Sequence, residues 1–115
     1  MRKFLQSFIY AFRGIGLVLA KERNFKIHIT AAALVVFFGF YFNVNSTEWL
    51  ALLFAIGLVL SAEMFNSAIE KLCNLYSNET NEQIRNIKDI AAGAVLVCAI
   101  IAAVIGVMVF GGYVW

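Results

Sequence analysis

Three apolar segments, each about as long as a lipid bilayer is thick, limit this chain to a membrane fold. They run over residues 27–44, 49–69 and 90–110, and only His28 and Glu63 interrupt them with an acidic or basic side chain. A spanning helix needs about 20 mostly apolar residues. Since 63% of the 115 residues are hydrophobic and none is proline, a soluble domain of this size could not bury them. We therefore predict an all-α membrane protein with three transmembrane helices.

The segment before the first span predicts a helix of a different kind. Apolar and polar residues there fall on opposite helical faces, which is typical of an amphipathic helix lying at the membrane surface. The apolar face holds Phe4, Phe8, Phe12, Ile15 and Leu19, and the polar face holds Lys3, Gln6, Tyr10, Arg13 and Lys21. A signal peptide is the less favoured interpretation, because polar residues break the apolar run. We expect one domain over residues 1–115, with a surface helix at 1–26.

The basic residues predict how the chain is oriented. All nine Lys and Arg lie either before the first span or between the second and third, and three spans place those two regions on the same side. The positive-inside rule makes that side cytoplasmic. The N-terminus is then inside and the C-terminus outside, and residues 45–48 form a short outer turn. With a net charge of only +2 and no basic tract, no nucleic-acid partner is expected.

An acidic side chain inside the second span is the first candidate for chemistry. A carboxylate there costs about 2.5–3.5 kcal/mol on insertion scales and is a functional candidate by default. Glu63 follows Trp49 by fourteen residues, or about 21 Å of helix, which places it in the cytoplasmic third of the bilayer. Asn66 and Glu70 follow at i+3 and i+7, so the three side chains share one helical face.

Other polar residues lie at the same membrane edge and suggest a reaction. Glu22 precedes the first span, and Lys88 and Asp89 precede the third. Carboxylate and amide oxygens suit Mg²⁺, which usually binds one or two carboxylates together with substrate phosphates. A lysine can neutralise phosphate charge, and a deeper carboxylate can accept a proton from a lipid hydroxyl. Together they favour phosphoryl transfer from a cytoplasmic nucleotide to a lipid alcohol.

Simpler interpretations exist for most of these residues. Glu70, Lys71 and Asp89 could be solvated helix ends, Asn66 could hold helices together, and His28 could be an interfacial residue. Two other function classes also remain open. One is a proton- or cation-coupled transporter subunit that uses Glu63 as a relay, and the other is a non-catalytic membrane subunit. No P-loop or protein-kinase glycine motif is present.

Three motifs resemble those of a known family. Residues 62–70, AEMFNSAIE, resemble the ExxNSAIE signature of the prokaryotic diacylglycerol kinases, and residues 88–96, KDIAAGAVL, resemble their KDxxxxAVL signature. Residues 22–26, ERNFK, resemble the motif before the first span of that family. The order of motifs and spans agrees over nearly the whole chain.

The resemblance implies a small homotrimeric lipid kinase of the bacterial inner membrane. It implies Mg-ATP as phosphoryl donor, a lipid alcohol as acceptor, and a role in recycling lipid carriers or phospholipids. By motif, Glu63 would be the general base, and Glu22 and Glu70 would bind Mg²⁺. Asn66, Lys88 and Asp89 would contact the nucleotide, and Tyr10 would line its site. Sites shared between protomers are expected.

The residue at position 28 bears on which lipid alcohol accepts the phosphate. Where the enterobacterial diacylglycerol kinases have a second glutamate after the one that matches Glu22, this chain has His28. The form ERNFKIH is more similar to the undecaprenol kinase branch of the family. We therefore favour undecaprenol over diacylglycerol as the acceptor.

Overall fold

The structure, a computed structural model, describes residues 1–76 and 81–114. This part of the chain forms four helices. They are α1 (Arg2–Lys21), α2 (Arg23–Tyr41), α3 (Ser46–Tyr76) and α4 (Glu82–Val114). The predicted all-α class is confirmed. Each helix is long and apolar enough to cross a membrane, so length and composition do not distinguish α1 from the others. The surface location of residues 1–26 and the number of spans therefore stay predictions.

The first two helices meet at a single non-helical residue, Glu22. Its backbone is extended (φ −100°, ψ 113°), and its N–H donates to the carbonyl of Val18 at 2.9 Å. Its own carbonyl accepts from the N–H of Lys26 at 3.3 Å, so Glu22 both ends α1 and begins α2. The break lies four residues earlier than the predicted boundary at 26/27, because the polar residues after Glu22 form the first turn of α2.

The connection between α2 and α3 is a tight reversal at residues 42–45. Asn43 adopts a positive φ of 56°, a conformation that asparagine tolerates better than most residues. Asn45 Oδ1 accepts from the N–H of Glu48 at 2.9 Å, and Glu48 Oε1 accepts from the N–H of Asn45 at 3.0 Å. This reciprocal pair is a capping box. The predicted turn over 45–48 is therefore wrong, since Ser46 already begins α3.

The third helix is the centre of the fold, because it contacts all three others. Its buried residues, five of which recur every three or four positions, form the packed stripe expected of such a helix. They are Leu52, Ala55, Val59, Glu63, Asn66, Ser67 and Cys73. With 31 and 33 residues, α3 and α4 are roughly 46 and 50 Å long. Both exceed the ~30 Å hydrocarbon core of a bilayer, which leaves polar ends outside it.

Candidate functional site at the C-terminal end of α3

The site is built on one face of α3. Glu63, Asn66 and Glu70 lie on this face as their spacing predicted, and Asn74 extends it by one further turn. Glu63 is 3% exposed and Asn66 is 6% exposed, so the deeper half of the face is buried already within one chain. A polar stripe therefore runs from the buried middle of α3 to its C-terminal end.

The deepest residue of this face meets a side chain from α2. His28 Nε2 lies 3.7 Å from Glu63 Oε2, and the imidazole is 25% exposed against 4% for the carboxylate. The distance permits an ion pair when the histidine is protonated, although it is longer than a normal hydrogen bond. His28 therefore belongs to the site, a contact that the spacing of residues along α3 could not predict.

One turn further, Asn66 faces the second carboxylate. Its Nδ2 donates to Glu70 Oε1 at 3.4 Å, while its Oδ1 is buried with no hydrogen-bond partner among the described residues. Buried polar atoms normally have partners, and an exception calls for an explanation such as an absent ligand or ion. Asn66 thus offers an acceptor beside a carboxylate.

Two basic side chains connect neighbouring elements to this end of α3. Lys71 Nζ lies 3.7 Å from Glu22 Oε1, which joins α3 to the α1–α2 junction. Lys88 Nζ donates to Asn74 Oδ1 at 2.8 Å, which joins α4 to α3. Glu22 and Lys88 are therefore brought to the site end of the bundle. The sequence predicted neither contact, since Lys71 could be a solvated helix end and Asn74 was not predicted as a site residue.

The two remaining candidates are placed on outward surfaces of the single chain. Tyr10 is 63% exposed on α1, and Asp89 is exposed on α4, one residue after Lys88. Their predicted contacts with a nucleotide stay predictions. Asn74 could have been found from the sequence, because it lies four residues beyond Glu70 and continues the same helical stripe.

The donor set of this face is of the type that Mg²⁺ prefers. Glu70 and Asn66 offer carboxylate and amide oxygens, and the charge of Glu22 acts on Glu63 together with that of Glu70. Over residues 1–76 and 81–114, no three His, Cys, Asp or Glu side chains converge into a complete metal cage. Mg²⁺ in phosphoryl-transfer enzymes usually takes one or two carboxylates and completes its shell with phosphates and water. The residues present fit that mode of binding.

Comparison with known proteins identifies the family of this chain. The sequence model of the prokaryotic diacylglycerol kinases matches residues 9–110, which include every residue of the α3 face.

The chain belongs to the prokaryotic diacylglycerol kinase family.

Individual relatives agree with this assignment. An undecaprenol kinase from Bacillus subtilis is 37% identical over 110 residues, covering 96% of this chain and 89% of the relative. A diacylglycerol kinase from Synechocystis is 33% identical over 103 residues, covering 89% of this chain and 59% of the relative. A diacylglycerol kinase from Escherichia coli K12 is 27% identical over 95 residues, covering 83% and 78%.

Membership in the prokaryotic diacylglycerol kinase family confirms the predicted enzyme class. The chain is a membrane lipid kinase, which excludes the transporter and non-catalytic alternatives as its primary role. Its apolar helices and its family place it in a bacterial membrane.

Proposed function

We propose that this protein transfers the γ-phosphate of Mg-ATP to the hydroxyl group of a membrane lipid alcohol, with undecaprenol favoured over diacylglycerol. The observation that carries the proposal is the buried carboxylate of Glu63 on a face that continues through Asn66 and Glu70 to the cytoplasmic edge. Such a face can meet a lipid from the bilayer and a nucleotide from the cytoplasm. The product fits a role in recycling lipid carriers or phospholipids.

In this proposal Glu63 is the general base. Its depth, about 21 Å of helix from Trp49, suits a hydroxyl group held near the lipid headgroups. As the lipid oxygen forms a bond to the γ-phosphorus, the bond from that phosphorus to the bridging oxygen of the β-phosphate breaks, and ADP leaves. The hydroxyl proton passes to Glu63, which can contribute about 10²–10⁴-fold to the rate.

Residues nearer the cytoplasm bind the donor. Glu22 and Glu70 would hold Mg²⁺, which supplies charge neutralisation for the phosphates when it is bound. Asn66 orients the nucleotide through its unpaired amide oxygen, and the ammonium of Lys88 offsets phosphate charge. Asp89 and Tyr10 contact the nucleotide from α4 and α1.

The acceptor preference rests on two observations. The relative with 37% identity is named an undecaprenol kinase, whereas the relatives with 33% and 27% identity are named diacylglycerol kinases. This chain also has His28 beside the proposed base, in a motif similar to that of the undecaprenol kinase branch. A histidine there changes the surroundings of the acceptor and leaves the donor residues unchanged.

The proposed arrangement in the membrane follows from the charges and from α1. The basic residues place the N-terminus and the α3–α4 connection in the cytoplasm, with the C-terminus outside. Of the four helices, α1 is the most amphipathic, and only Val18 is buried along it. Both properties support a helix at the cytoplasmic surface, beside the nucleotide, with three spans following it.

Lipid phosphorylation assayed with both acceptors tests this function. The purified protein with ATP and Mg²⁺ is expected to phosphorylate undecaprenol faster than diacylglycerol, and chelation of Mg²⁺ should stop the reaction. Glu63→Gln should lower the rate by about 10²-fold or more, because the hydroxyl then has no base.

Glu48→Gln is the matched control for that variant. It makes the same substitution in the same helix, at the outer end, and glutamine preserves the capping box. Its rate should equal that of the unsubstituted protein. Full turnover by Glu63→Gln would show that Glu63 is not the base, and a reaction with neither lipid would overturn the proposed function.

A further inference from the structure

His28 stands between the proposed base and an apolar cavity. The cavity has a volume of about 240 Å³ and lies among α2, α3 and α4. His28 is the one polar residue lining it among the described part of the chain, and alanine, valine, leucine and isoleucine supply the rest. On its other side, the imidazole approaches Glu63 at 3.7 Å.

Because Glu63 is buried, it needs a neighbouring group that can take up the proton that it accepts, and His28 can be that group. A base that has taken a proton must release it before the next turnover, yet the Glu63 side chain is only 4% exposed. Proton transfer needs a partner within about 2.6–3.2 Å, directly or through one water. The imidazole of His28 is within about 1 Å of that range, and imidazole is the side chain that exchanges protons most readily near neutral pH.

We propose that His28 is a positioning residue for Glu63, which orients the carboxylate and takes from it the proton that the lipid hydroxyl has lost. The neutral imidazole becomes an imidazolium paired with the carboxylate, and its more exposed ring then releases the proton. One proton thus moves from hydroxyl to Glu63 to His28 to solvent, and no other reactant is consumed. This inference rests on the proposed function, since Glu63 must act as the base.

The charged groups around this pair leave His28 as the available proton acceptor. From α3, Glu70 acts on Glu63, and so does Glu22 at the α1–α2 junction; both are assigned to Mg²⁺. Lys71 is paired with Glu22 and, as a cation, cannot accept a proton. From α4, the cavity wall consists of alanines at positions 99, 102 and 103.

A measurement that needs no turnover tests the contact itself. His28 is the only histidine of the chain, so ¹⁵N-histidine labelling of tag-free protein gives the signals of one imidazole. Glu63→Gln should move the ring nitrogen shifts at fixed pH, because it removes the adjacent carboxylate. Glu48→Gln, at the opposite end of α3, should leave them unchanged. Identical spectra for all three proteins would overturn the inference whether or not the protein is a kinase.

The kinetic test compares variants of His28 in the full-length protein. His28→Gln keeps a polar side chain but cannot become a cation, so kcat should fall roughly tenfold or more, since a misplacement of about 1 Å can cost about 10²-fold. The KM for ATP should stay within about twofold, because the donor residues are unchanged. Thr30→Ala, an exposed α2 residue whose hydroxyl donates to the Lys26 carbonyl, should behave like the unsubstituted protein.

Two readouts separate proton transfer from a purely structural role. The pH dependence of kcat should differ between the unsubstituted protein and His28→Gln, because an imidazolium cannot accept a proton and glutamine does not titrate. Imidazole added to His28→Ala should restore activity through the adjoining cavity.

The inference fails if both variants are slow while the pH profile is unaltered and imidazole restores nothing. It also fails if His28→Gln turns over like the unsubstituted protein. An unsubstituted protein that phosphorylates no lipid would instead overturn the proposed function, and the labelling experiment would then decide on the contact alone.

Discussion

Asn66 and Ser67 are sequence neighbours that bury oxygen atoms without partners in the described part of the chain, for different reasons. Ser67 is 3% exposed and Asn66 is 6% exposed. A serine hydroxyl on a helix can rotate to donate to the carbonyl one turn earlier, so its apparent lack of a partner costs little. The amide oxygen of Asn66 can only accept, and its Nδ2 is already directed at Glu70. Only Asn66 therefore needs a ligand.

Substitution of each residue by alanine separates the two cases. Asn66→Ala should lower kcat/KM for ATP by about tenfold, since the amide oxygen would accept from an N–H or O–H group of the nucleotide and such a hydrogen bond contributes roughly 0.5–1.5 kcal/mol. Ser67→Ala should change it by less than about threefold, because it removes no group that the ligand contacts. Steady-state kinetics at saturating lipid measure both. Equal losses in the two variants would assign the defect to packing.

For individual residues, helical spacing predicted which side chains of α3 share a face. It did not predict the contacts that these side chains make with other helices. Glu63, Asn66 and Glu70 share a face because helical periodicity requires it. The approach of His28 to Glu63 depends on how α2 packs against α3, which no local pattern encodes. The Lys88–Asn74 bond likewise depends on where α4 docks. Helical spacing therefore predicted the shared face of Glu63, Asn66 and Glu70, but not the pairings between helices or the contacts of Lys71 and Asn74.

Helix α2 is held against α3 near its C-terminal end by a close approach at a glycine. Gly39 is covered by the indole of Trp49, and a Cβ built on Gly39 would lie 2.5 Å from Trp49 Cη2 and 2.9 Å from two further ring carbons. The indole also packs on Phe40, with ring centroids 4.9 Å apart. The rigid ring has little freedom to yield, so this contact fixes the spacing of the two helices.

Gly39→Ala should therefore destabilise the protein by about 1–3 kcal/mol, the usual cost of overpacking. Thermal unfolding in detergent should show a lower Tm. Gly112→Ala is the matched control near the outer end of α4, where a Cβ would meet nothing within 4 Å, and its Tm should not fall. An unchanged Tm for Gly39→Ala would mean that the indole can move aside.

The elements themselves were predictable in number but not in their ends. Apolar length identified the three long apolar segments, because bilayer thickness fixes it. Hydropathy does not identify the residues that cap a helix, however. It predicts that the first span begins after Lys26, whereas helix α2 begins at Arg23. The sequence predicts a turn over residues 45–48 because asparagine and serine favour turns and N-caps alike. The capping box resolves that ambiguity.

Most of the apolar surface of α4 is exposed in the single chain. Only Ile84, Ala91 and Val109 are buried along the 33 residues of α4, which is rich in small residues that favour close helix packing in membranes. The molecule is also flat, with extents of 51 × 42 × 21 Å. These features support the proposed homotrimer, in which a second copy covers α4.

A trimer would also explain the position of Lys88. Its ammonium is bound to Asn74, which lies eleven residues beyond Glu63, or about 16 Å along the helix axis. A lysine that offsets the charge of the transferred phosphate must lie much nearer the base. We therefore expect Glu63 of one protomer and Lys88 of its neighbour to serve the same site.

Mixing two inactive variants tests this arrangement. Glu63→Gln and Lys88→Met, reconstituted together at equal amounts, should regain roughly a quarter of full activity, since in a cyclic trimer that fraction of interfaces joins an intact Glu63 to an intact Lys88. Glu63→Gln mixed with Glu70→Gln should regain none, because both residues lie on one face of one helix. Lipid phosphorylation before and after subunit exchange measures both mixtures. If the first mixture also stays inactive, each protomer must carry a complete site, and Lys88 would have to leave Asn74 and move toward Glu63 when ATP binds.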